Sequence, residues 1–548
     1  MKLSFTSEEK AAEYVAKGLW KNKTFYQRFC EAADRLPDKV ALIESGASYT
    51  YRQIKSLATT IAGNLYKSGV KCNDIVAVQL PNSAYMPILH LALNRIGAVY
   101  LPLHDGWREA ELVHLLGKSR ARTIIVKNSF RDFSYPEMLA QIKSKLPALE
   151  TVYSMEGNSH GSLPFEYLLK SSAIDETTLN GLAPDVNARS AIMPSSGTTS
   201  LPKMSAFSDN NLCALLDYFI EVIDLREEDI SAAIAPAGTG ATGYVFPILS
   251  LLLTGGTATI LERWGDPKQV LDLIVKNRCT YATAIPTQMT MMVEYLNDYS
   301  SEDFASFTRF NNAGAPLPYA TGQLIEEQMG CKVQVVYGAT DAGIPAMTCV
   351  EDSREKRLRT VGKLLHDCDV QLWDANGRPV LEGSVGEIVW STPMKSYGYI
   401  NDDEETARTW SNNYYKSGDL GQIDTEGYLC IVGRVKDMIL RGGRNISPRS
   451  VEELLIKHPA IRQVAVVAMP DPRLGERACA FVQLTGGQSL GFDAMIAFLS
   501  EHKIAKWEFP ERLEIISEWP MSGGGKIQKN RLSEMVTKKL RAEGVLPA

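Results

Sequence analysis

Small hydroxylated residues surround one glycine and lead to a lysine at positions 193–205 (MPSSGTTSLPKMS). Backbone N–H groups near Gly197 can approach an anion closely, and Lys203 can neutralise its charge. The stretch is not a Walker A loop, because Pro202 stands where that pattern has a glycine before the lysine. The sequence therefore predicts a different kind of phosphate loop, with hydroxyl groups from Ser195, Ser196, Thr198 and Thr199.

A second glycine-rich stretch, GTGATG at 238–243, matches the GxGxxG pattern of dinucleotide-binding loops. It follows a strand-like segment, and Glu262 ends the next strand-like segment, where an acid could bind a ribose. Pro247, however, falls in the first turns of the helix that would receive the pyrophosphate. The stretch is therefore interpreted as a cofactor loop of an NAD-dependent oxidoreductase, as the glycine-rich wall of a substrate pocket, or as a simple turn.

Polar residues also follow a predicted buried strand, in YGATDAG at 337–343. Tyr337 could stack on a base, Thr340 could bond a phosphate oxygen, and Asp341 is a hard oxygen ligand suited to Mg²⁺. Further along, Asp419 could accept two ribose hydroxyls and Arg434 offers a fork for ribose or phosphate.

The elements that must position these residues alternate between strand and helix patterns. Helical spacing marks 51–67 and 85–96, and short apolar strand patterns mark 74–80, 123–127 and 332–338, among others. This alternation predicts α/β layers with mainly parallel sheets. The character changes near Lys436, so we expect an N-terminal domain over 1–435 and a smaller C-terminal domain over 436–548.

Length, charge and composition narrow the class of protein. A chain of 548 residues exceeds one ordinary core, and a net charge of −6 without a basic stripe gives no reason to expect nucleic-acid binding. The nine cysteines form no CxxC pair, which indicates reduced thiols and a cytoplasmic location. The most apolar run, 244–253, is too short to span a bilayer, so membrane insertion is not expected.

The segments SSGTTSLPK, NAGAPL, YGATD, SGDLGQIDTEGYL, GRVKDMILRGGRNISP and PMSGGGKI occur in this order along the chain. The series resembles the adenylate-forming superfamily of acyl- and aryl-CoA synthetases, peptide-synthetase adenylation domains and luciferases. The resemblance covers roughly residues 25–535, and the start YVAKGLWKNKTFYQRF is similar to stand-alone aryl-acid adenylating enzymes.

The resemblance implies a two-step reaction. ATP and a carboxylate form an acyl-adenylate and pyrophosphate, and a thiol of CoA or of a carrier protein's phosphopantetheine then displaces AMP. It also implies one role for each motif residue. The loop 195–203 binds the β- and γ-phosphates, Thr340 contacts the α-phosphate, and Asp341 binds Mg²⁺. Adenine is enclosed by Gly314, Ala315, Pro316, Tyr337 and Gly338, and the ribose is held by Asp419 and Arg434. Lys526 bridges the carboxylate and the α-phosphate.

The same resemblance implies a large multi-subdomain N-terminal domain and a mobile α+β C-terminal domain that rotates between the two half-reactions. Lys436 aligns with the hinge, and Gly442 and Gly443 align with the loop that approaches the pantetheine thiol.

The resemblance also implies an acid pocket at Thr239, Gly240, Gly243 and Ala313. Small residues at 237–241 predict a roomy pocket for an aryl, alicyclic or medium acyl acid. The chain departs from the family pattern at Ser200, Met204, Asp341 and Ser450, so a non-catalytic member of the superfamily remains an alternative.

Overall fold

The computed structural model describes residues 6–171, 174, 176–182, 184–195, 201–502, 504–521 and 527–546. Among the predicted site residues, Ser196, Gly197, Thr198, Thr199 and Lys526 lie outside these ranges, as does the side chain of Thr239.

The two largest sheets are mainly parallel, as the alternating pattern predicts. In spatial order, the nine strands of the larger sheet are Lys363–Leu364, Gly343–Met347, Lys332–Ala339, Arg309–Ala313, Tyr281–Ala284, Ile230–Ala233, Thr257–Ile260, Val40–Glu44 and Ala47–Thr50. Its antiparallel pairs lie only at its two ends, among the described strands. The seven strands of the second sheet are Met204–Ser208, Arg189–Pro194, Val99–Leu103, Ile75–Gln79, Thr123–Lys127, Thr151–Met155 and Leu163–Pro164.

Two smaller sheets follow in the sequence and are mainly antiparallel. The first consists of Asp369–Trp373, Gly386–Ser391, Tyr414–Ile423, Trp410–Ser411 and Leu429–Arg434. The second, in the last part of the chain, consists of Arg444–Ile446, Ile439–Arg441, Gly475–Leu484, Ile461–Asp471 and Arg512–Ile515. A short hairpin pairs Ser129–Phe130 with Phe133–Ser134.

Helices cover the sheets on both faces. The α-helices are Glu8–Ala16, Phe25–Arg35, Tyr51–Lys67, Tyr85–Arg95, Glu109–Ser119, Tyr135–Ile142, Glu176–Asn180, Asp209–Val222, Ser250–Thr254, Pro267–Lys276, Pro286–Val293, Tyr319–Met329, Arg354–Arg359, Asp403–Thr409, Pro448–Leu455, Phe492–Glu501 and Lys529–Ala542. A π-helix spans Ala241–Leu249, and a 3₁₀ turn spans Val435–Asp437.

Local signals explain why several helices begin where they do. Thr50 caps the helix Tyr51–Lys67 in a reciprocal capping box with Gln53, and the apolar residues of that helix recur on one buried face. The helical prediction for 51–67 and the strand prediction for 123–127 are confirmed residue for residue.

Three apolar clusters show how the layers stack. One cluster joins residues of both large sheets to the helices between them, including Tyr51, Tyr100 and Phe219. A second covers the outer face of the seven-stranded sheet, and a third covers the outer face of the nine-stranded sheet. The N-terminal part is therefore a five-layer α/β/α/β/α arrangement, in which each sheet is buried on both faces. Among the described residues, every helix is too short or too polar to span a bilayer.

Candidate functional site

The candidate site lies along the carboxyl edge of the nine-stranded sheet. Its lining includes residues that lie one to three positions beyond the ends of four parallel strands, at Pro236, Pro286, Gly314 and Thr340. Ligands of open α/β sheets bind at this edge, because the strand ends and the loops after them converge there. The cleft has a volume of about 2270 Å³, compared with ~300–1,000 Å³ for a typical single-ligand pocket. It therefore has room for a nucleotide and a second substrate together.

Asp419 and Arg434 meet in this cleft because they are register partners on neighbouring antiparallel strands. Oδ1 of Asp419 lies 2.8 Å from Nε of Arg434, and the Tyr337 hydroxyl donates to Oδ2 at 3.0 Å. Burial, and then the Asp419 carboxylate, raise the pKa of the Tyr337 phenol well above its usual range, so Tyr337 remains a hydrogen-bond donor. The structure thus brings together three residues that the sequence assigns to nucleoside binding.

Two hydrogen bonds close the base of the predicted phosphate loop. The N–H of Ser195 donates to the Lys203 carbonyl at 2.8 Å, and the N–H of Lys203 donates to Oγ of Ser195 at 3.2 Å. Nε2 of His114 lies 3.1 Å from the Pro202 carbonyl. Ser195 and Lys203 both line the cleft, and the Lys203 ammonium forms an ion pair with Glu405.

Asp341 is buried, with only 7% of its surface exposed, and both of its carboxylate oxygens accept hydrogen bonds. Ser205 donates to Oδ1, and the Tyr399 hydroxyl donates to Oδ2 at 2.8 Å. Burial and the nearby carboxylate raise the pKa of Tyr399, which therefore stays protonated as a donor. These two hydroxyl groups hold the Asp341 carboxylate in place in the cleft wall.

A Mg²⁺ ion is consistent with this arrangement if the nucleotide supplies most of its ligands. The described part of the chain contains no group of three or more His, Cys, Asp or Glu side chains that could hold a metal ion. Mg²⁺ is commonly bound by one or two carboxylates together with substrate phosphates and water. Asp341 can supply one such carboxylate from the cleft wall, because each carboxylate oxygen has more than one acceptor site.

Several cations converge in the same cleft. Lys203, Arg434 and Lys436 all line it. Burial, and then the positive charge of Arg434, lower the pKa of the Lys436 ammonium, and Lys203 adds to this effect. Carboxylates of the protein pair with Lys203 and Arg434, and Lys436 adds a third cation, so the cleft holds positive groups that a polyphosphate could engage.

The NAGAPL segment forms a tight turn at the end of the strand Arg309–Ala313. Nδ2 of Asn312 donates to the Ala315 carbonyl at 3.0 Å, and Gly314 has a φ of +88°, which favours glycine. Gly314, Ala315 and Pro316 line the cleft together with Ala313, Tyr337 and Gly338.

The GTGATG segment is a packing element. A Cβ on Gly238 would lie 2.6 Å from the backbone of His104, and one on Gly243 would lie 2.3 Å from the Pro236 carbonyl oxygen. Backbone that touches these two glycines so closely leaves no space there for a pyrophosphate. The chain then continues as a π-helix that contains Pro247, so the dinucleotide-loop interpretation is wrong for this segment.

The remaining predicted pocket residues surround the turn before this π-helix. A Cβ on Gly240 would lie 3.2 Å from Oγ1 and Cγ2 of Thr340, so Thr340 packs directly over Gly240. Neighbouring residues of the π-helix line the cleft instead of Gly243. The apolar side chains that line the cleft here, from several elements, are Met193, Phe207, Leu212, Leu215, Val245, Phe246 and Ile344.

In the last part of the chain, the predicted thiol-approach loop and the segment next to Lys526 lie in different places. Gly442 and Gly443 form the exposed tip of a hairpin, where the Gly442 N–H donates to the Leu474 carbonyl at 2.8 Å. Met521 and Ile527 form an isolated antiparallel bridge, and both line the cleft. Lys526, next to Ile527, lies outside the described residues.

Sequence reasoning missed the residues that contact Lys203 and Asp341 from the segment 396–409. Tyr399 and Glu405 belong to GYINDDEETARTW, whose acidic run is a typical helix N-terminus. That signal locates the helix Asp403–Thr409, but it does not show which carboxylate faces the cleft.

Comparison with protein families gives two matches. The model of the AMP-binding enzyme family matches residues 29–400, and that of the AMP-binding enzyme C-terminal domain matches residues 450–526.

Individual relatives cover nearly the whole chain. The medium-chain fatty-acid–CoA ligase of Escherichia coli (strain K12) is 31% identical over 547 residues, which is 98% of this chain and 95% of that protein. The 2,3-dihydroxybenzoate-AMP ligase of Bacillus subtilis (strain 168) is 27% identical, over 98% of each chain. The crystal structure of the anthranilate CoA ligase AuaEII in complex with anthranoyl-AMP superposes with a TM-score of 0.86 at 22% identity, over 95% of this chain and 98% of that one. At this identity, the likeness to the anthranilate CoA ligase structure shows a shared fold. Together with the two family matches, these findings show that the chain belongs to the AMP-binding enzyme family.

Proposed function

We propose that this protein activates a carboxylic acid with ATP to form an acyl-adenylate and then transfers the acyl group to a phosphopantetheine thiol. The observation that carries the proposal is the convergence of Tyr337, Asp341, Asp419 and Arg434 with Lys203 in one cleft, in a chain of the AMP-binding enzyme family. CoA and a carrier protein share the pantetheine group, so either is a candidate acceptor.

In the first half-reaction, an oxygen of the substrate carboxylate attacks the α-phosphorus of ATP, and the bond to pyrophosphate breaks. This attack of one anion on another requires positioning and charge neutralisation more than acid–base groups. Asp419 and Arg434 would hold the ribose, the turn at Gly314 and Tyr337 would enclose the adenine, and Thr340 would contact the α-phosphate. Lys203 would bind the pyrophosphate end, and Asp341 would hold Mg²⁺, which neutralises phosphate charge when bound.

In the second half-reaction, the thiolate sulfur attacks the acyl carbon and AMP leaves with the bonding electron pair. We propose that the C-terminal domain, from residue 436, rotates between the steps about Lys436. Lys526 would serve adenylation, and Gly442 and Gly443 would approach the thiol afterwards. The exposed hairpin tip and the bridge of Met521 and Ile527 in the cleft support an arrangement suited to the first step.

The acid would bind against the apolar side chains near the π-helix. Phe207, Leu212, Leu215, Val245 and Phe246 line this part of the cleft and carry no charge. An uncharged wall favours an acid whose tail is apolar, because burying a second charge without a partner is costly. Aryl, alicyclic and medium acyl acids meet this condition.

Acid-dependent exchange of pyrophosphate into ATP tests the proposal directly. A panel of benzoate, cyclohexanecarboxylate, octanoate and hydroxybenzoates should contain at least one acid that supports exchange, with dicarboxylates as charged controls. Active acids are then assayed with CoA and with holo-carrier proteins. A folded protein that binds ATP but exchanges pyrophosphate with no acid of a broad panel would instead be a non-catalytic member of the family.

A further inference from the structure

The carboxylate of Glu405 forms an ion pair with the ammonium group of Lys203, and this pair is partly shielded from solvent. The side chain of Glu405 is 14% exposed and that of Lys203 is 31% exposed. Nζ of Lys203 also lies 5.0 Å from the centre of the Tyr399 ring. The Coulomb attraction within such a pair is stronger than in a solvent-exposed ion pair, because less water screens the two charges.

The position of Glu405 is fixed by its own helix, Asp403–Thr409. The Asp402 side chain caps that helix by accepting the N–H of Glu405 at 3.2 Å, and Lys118 forms an ion pair with Asp402. Oγ1 of Thr409 donates to Oε1 of Glu405 at 3.3 Å. The carboxylate is therefore held in place before any ligand binds.

The segment before this helix is hydrogen-bonded to the strand Met204–Ser208, which directly follows Lys203. The Ile400 N–H donates to the Met204 carbonyl at 2.9 Å, and the Ala206 N–H donates to the Gly398 carbonyl at 3.1 Å. Backbone hydrogen bonds thus fix the segment before the helix against the strand that directly follows Lys203. The ion pair is a built feature of the cleft and not a chance contact of two long side chains.

We propose that Glu405 is a positioning residue that competes with the terminal phosphates of ATP, and with pyrophosphate, for Lys203. The inference rests on the proposed function, in which Lys203 binds the pyrophosphate end. A lysine ammonium is a compact point charge, so full interaction with a polyphosphate requires it to leave the carboxylate. Arg408 forms an ion pair with Oε2 of Glu405, so the carboxylate keeps a cationic partner after the exchange. Glu405 thereby lowers the affinity for ATP and favours release of pyrophosphate.

The test compares Glu405→Gln with Glu404→Gln, a matched change at the neighbouring exposed carboxylate. Affinities for ATP, pyrophosphate and AMP are measured by calorimetry in the absence of acid. Because ATP affinity is reduced by the fraction of protein in which Lys203 is engaged elsewhere, we expect Glu405→Gln to tighten ATP and pyrophosphate about 3- to 10-fold. AMP, which has no terminal phosphates, should bind equally to all three proteins, and Glu404→Gln should match the wild type.

A double variant separates competition from a change in folding. In a Lys203→Met background, Glu405→Gln should have no effect on ATP affinity, because the contested group is absent. If Glu405→Gln leaves ATP affinity unchanged or weakens it, Glu405 supports Lys203 instead of competing for it, and the inference is overturned. A wild-type protein that binds no ATP and exchanges no pyrophosphate would instead contradict the proposed function itself.

Discussion

Asp419 and Arg434 face each other across two antiparallel strands, with Oδ1 of Asp419 2.8 Å from Nε of Arg434. The same carboxylate accepts the Tyr337 hydroxyl through Oδ2 at 3.0 Å. One carboxylate therefore connects the residue expected to stack on adenine with the arginine expected to hold the ribose, and it fixes both before a nucleotide binds.

Asp419→Asn should weaken ATP binding. The amide keeps the size of the side chain but loses the charge that holds Arg434, and hydrogen bonds to charged groups contribute about 1.5–3 kcal/mol. We therefore expect the KM for ATP to rise roughly 10- to 100-fold, since about 1.4 kcal/mol corresponds to a factor of ten. Initial-rate measurements at saturating acid give this value. The exposed turn residue Glu426 supplies a control, Glu426→Gln, and an equal KM in both variants would contradict the nucleoside role of Asp419.

Asp341→Asn should increase the Mg²⁺ requirement. The variant can still accept the Ser205 hydroxyl, but it removes the negative charge that we assign to the metal. Losing one charged ligand should raise the Mg²⁺ concentration for half-maximal pyrophosphate exchange by about tenfold or more. Ser205→Ala, which keeps the charge, serves as the comparison. An unchanged Mg²⁺ titration in Asp341→Asn would rule out the carboxylate as a ligand.

Lys436→Pro should separate the two half-reactions. Proline restricts φ to near −65° within the turn Val435–Asp437, so rotation about this position is lost. Acyl-adenylate formation should persist, while thioester formation slows by about tenfold or more, because domain rotation gates the second step. Lys436→Ala, which leaves φ free, is the control, and both rates are followed in single-turnover assays. Two unimpaired half-reactions in Lys436→Pro would remove the hinge assignment.

The pKa values of His90 and His366 should be shifted in opposite directions from that of a free imidazole. His90 is fully buried, with its ring centre 4.4 Å from that of Tyr100, and burial lowers its pKa to about 3. Asp367, and then Glu221, raise the pKa of the more exposed His366. NMR titration of the imidazole signals should therefore show His90 neutral at pH 5 and His366 protonated.

The two shifts also have opposite effects on stability. Below pH ~6.5 the unfolded chain protonates His90, which the folded chain keeps neutral, so the free energy of unfolding falls between pH ~6.5 and ~3, by on the order of 4 kcal/mol. The His366 contribution is present below pH ~6.5 and is lost as the pH rises through its raised folded pKa. A His90 ring that protonates above pH 5 would contradict its buried, neutral state.

The sequence by itself determined the order of the motifs, the α/β class, several of the strands and helices, and the resemblance to adenylate-forming enzymes. These features depend on side-chain periodicity, turn residues and caps that lie within a few positions of one another, as Thr50 and Gln53 do. It also placed Asp419 and Arg434 in one site, through the resemblance.

Only the tertiary structure decided which side chains meet across long separations. Glu405 is 202 residues from Lys203, and Ser205 is 136 residues from Asp341, so no local pattern could pair them. From the sequence alone, the glycines of GTGATG fit a dinucleotide-binding pattern. Only the structure shows that the backbone of Pro236 and His104 packs against them. Steric space and charge partners are properties of the packed molecule, because they depend on segments that the chain brings together only when it folds.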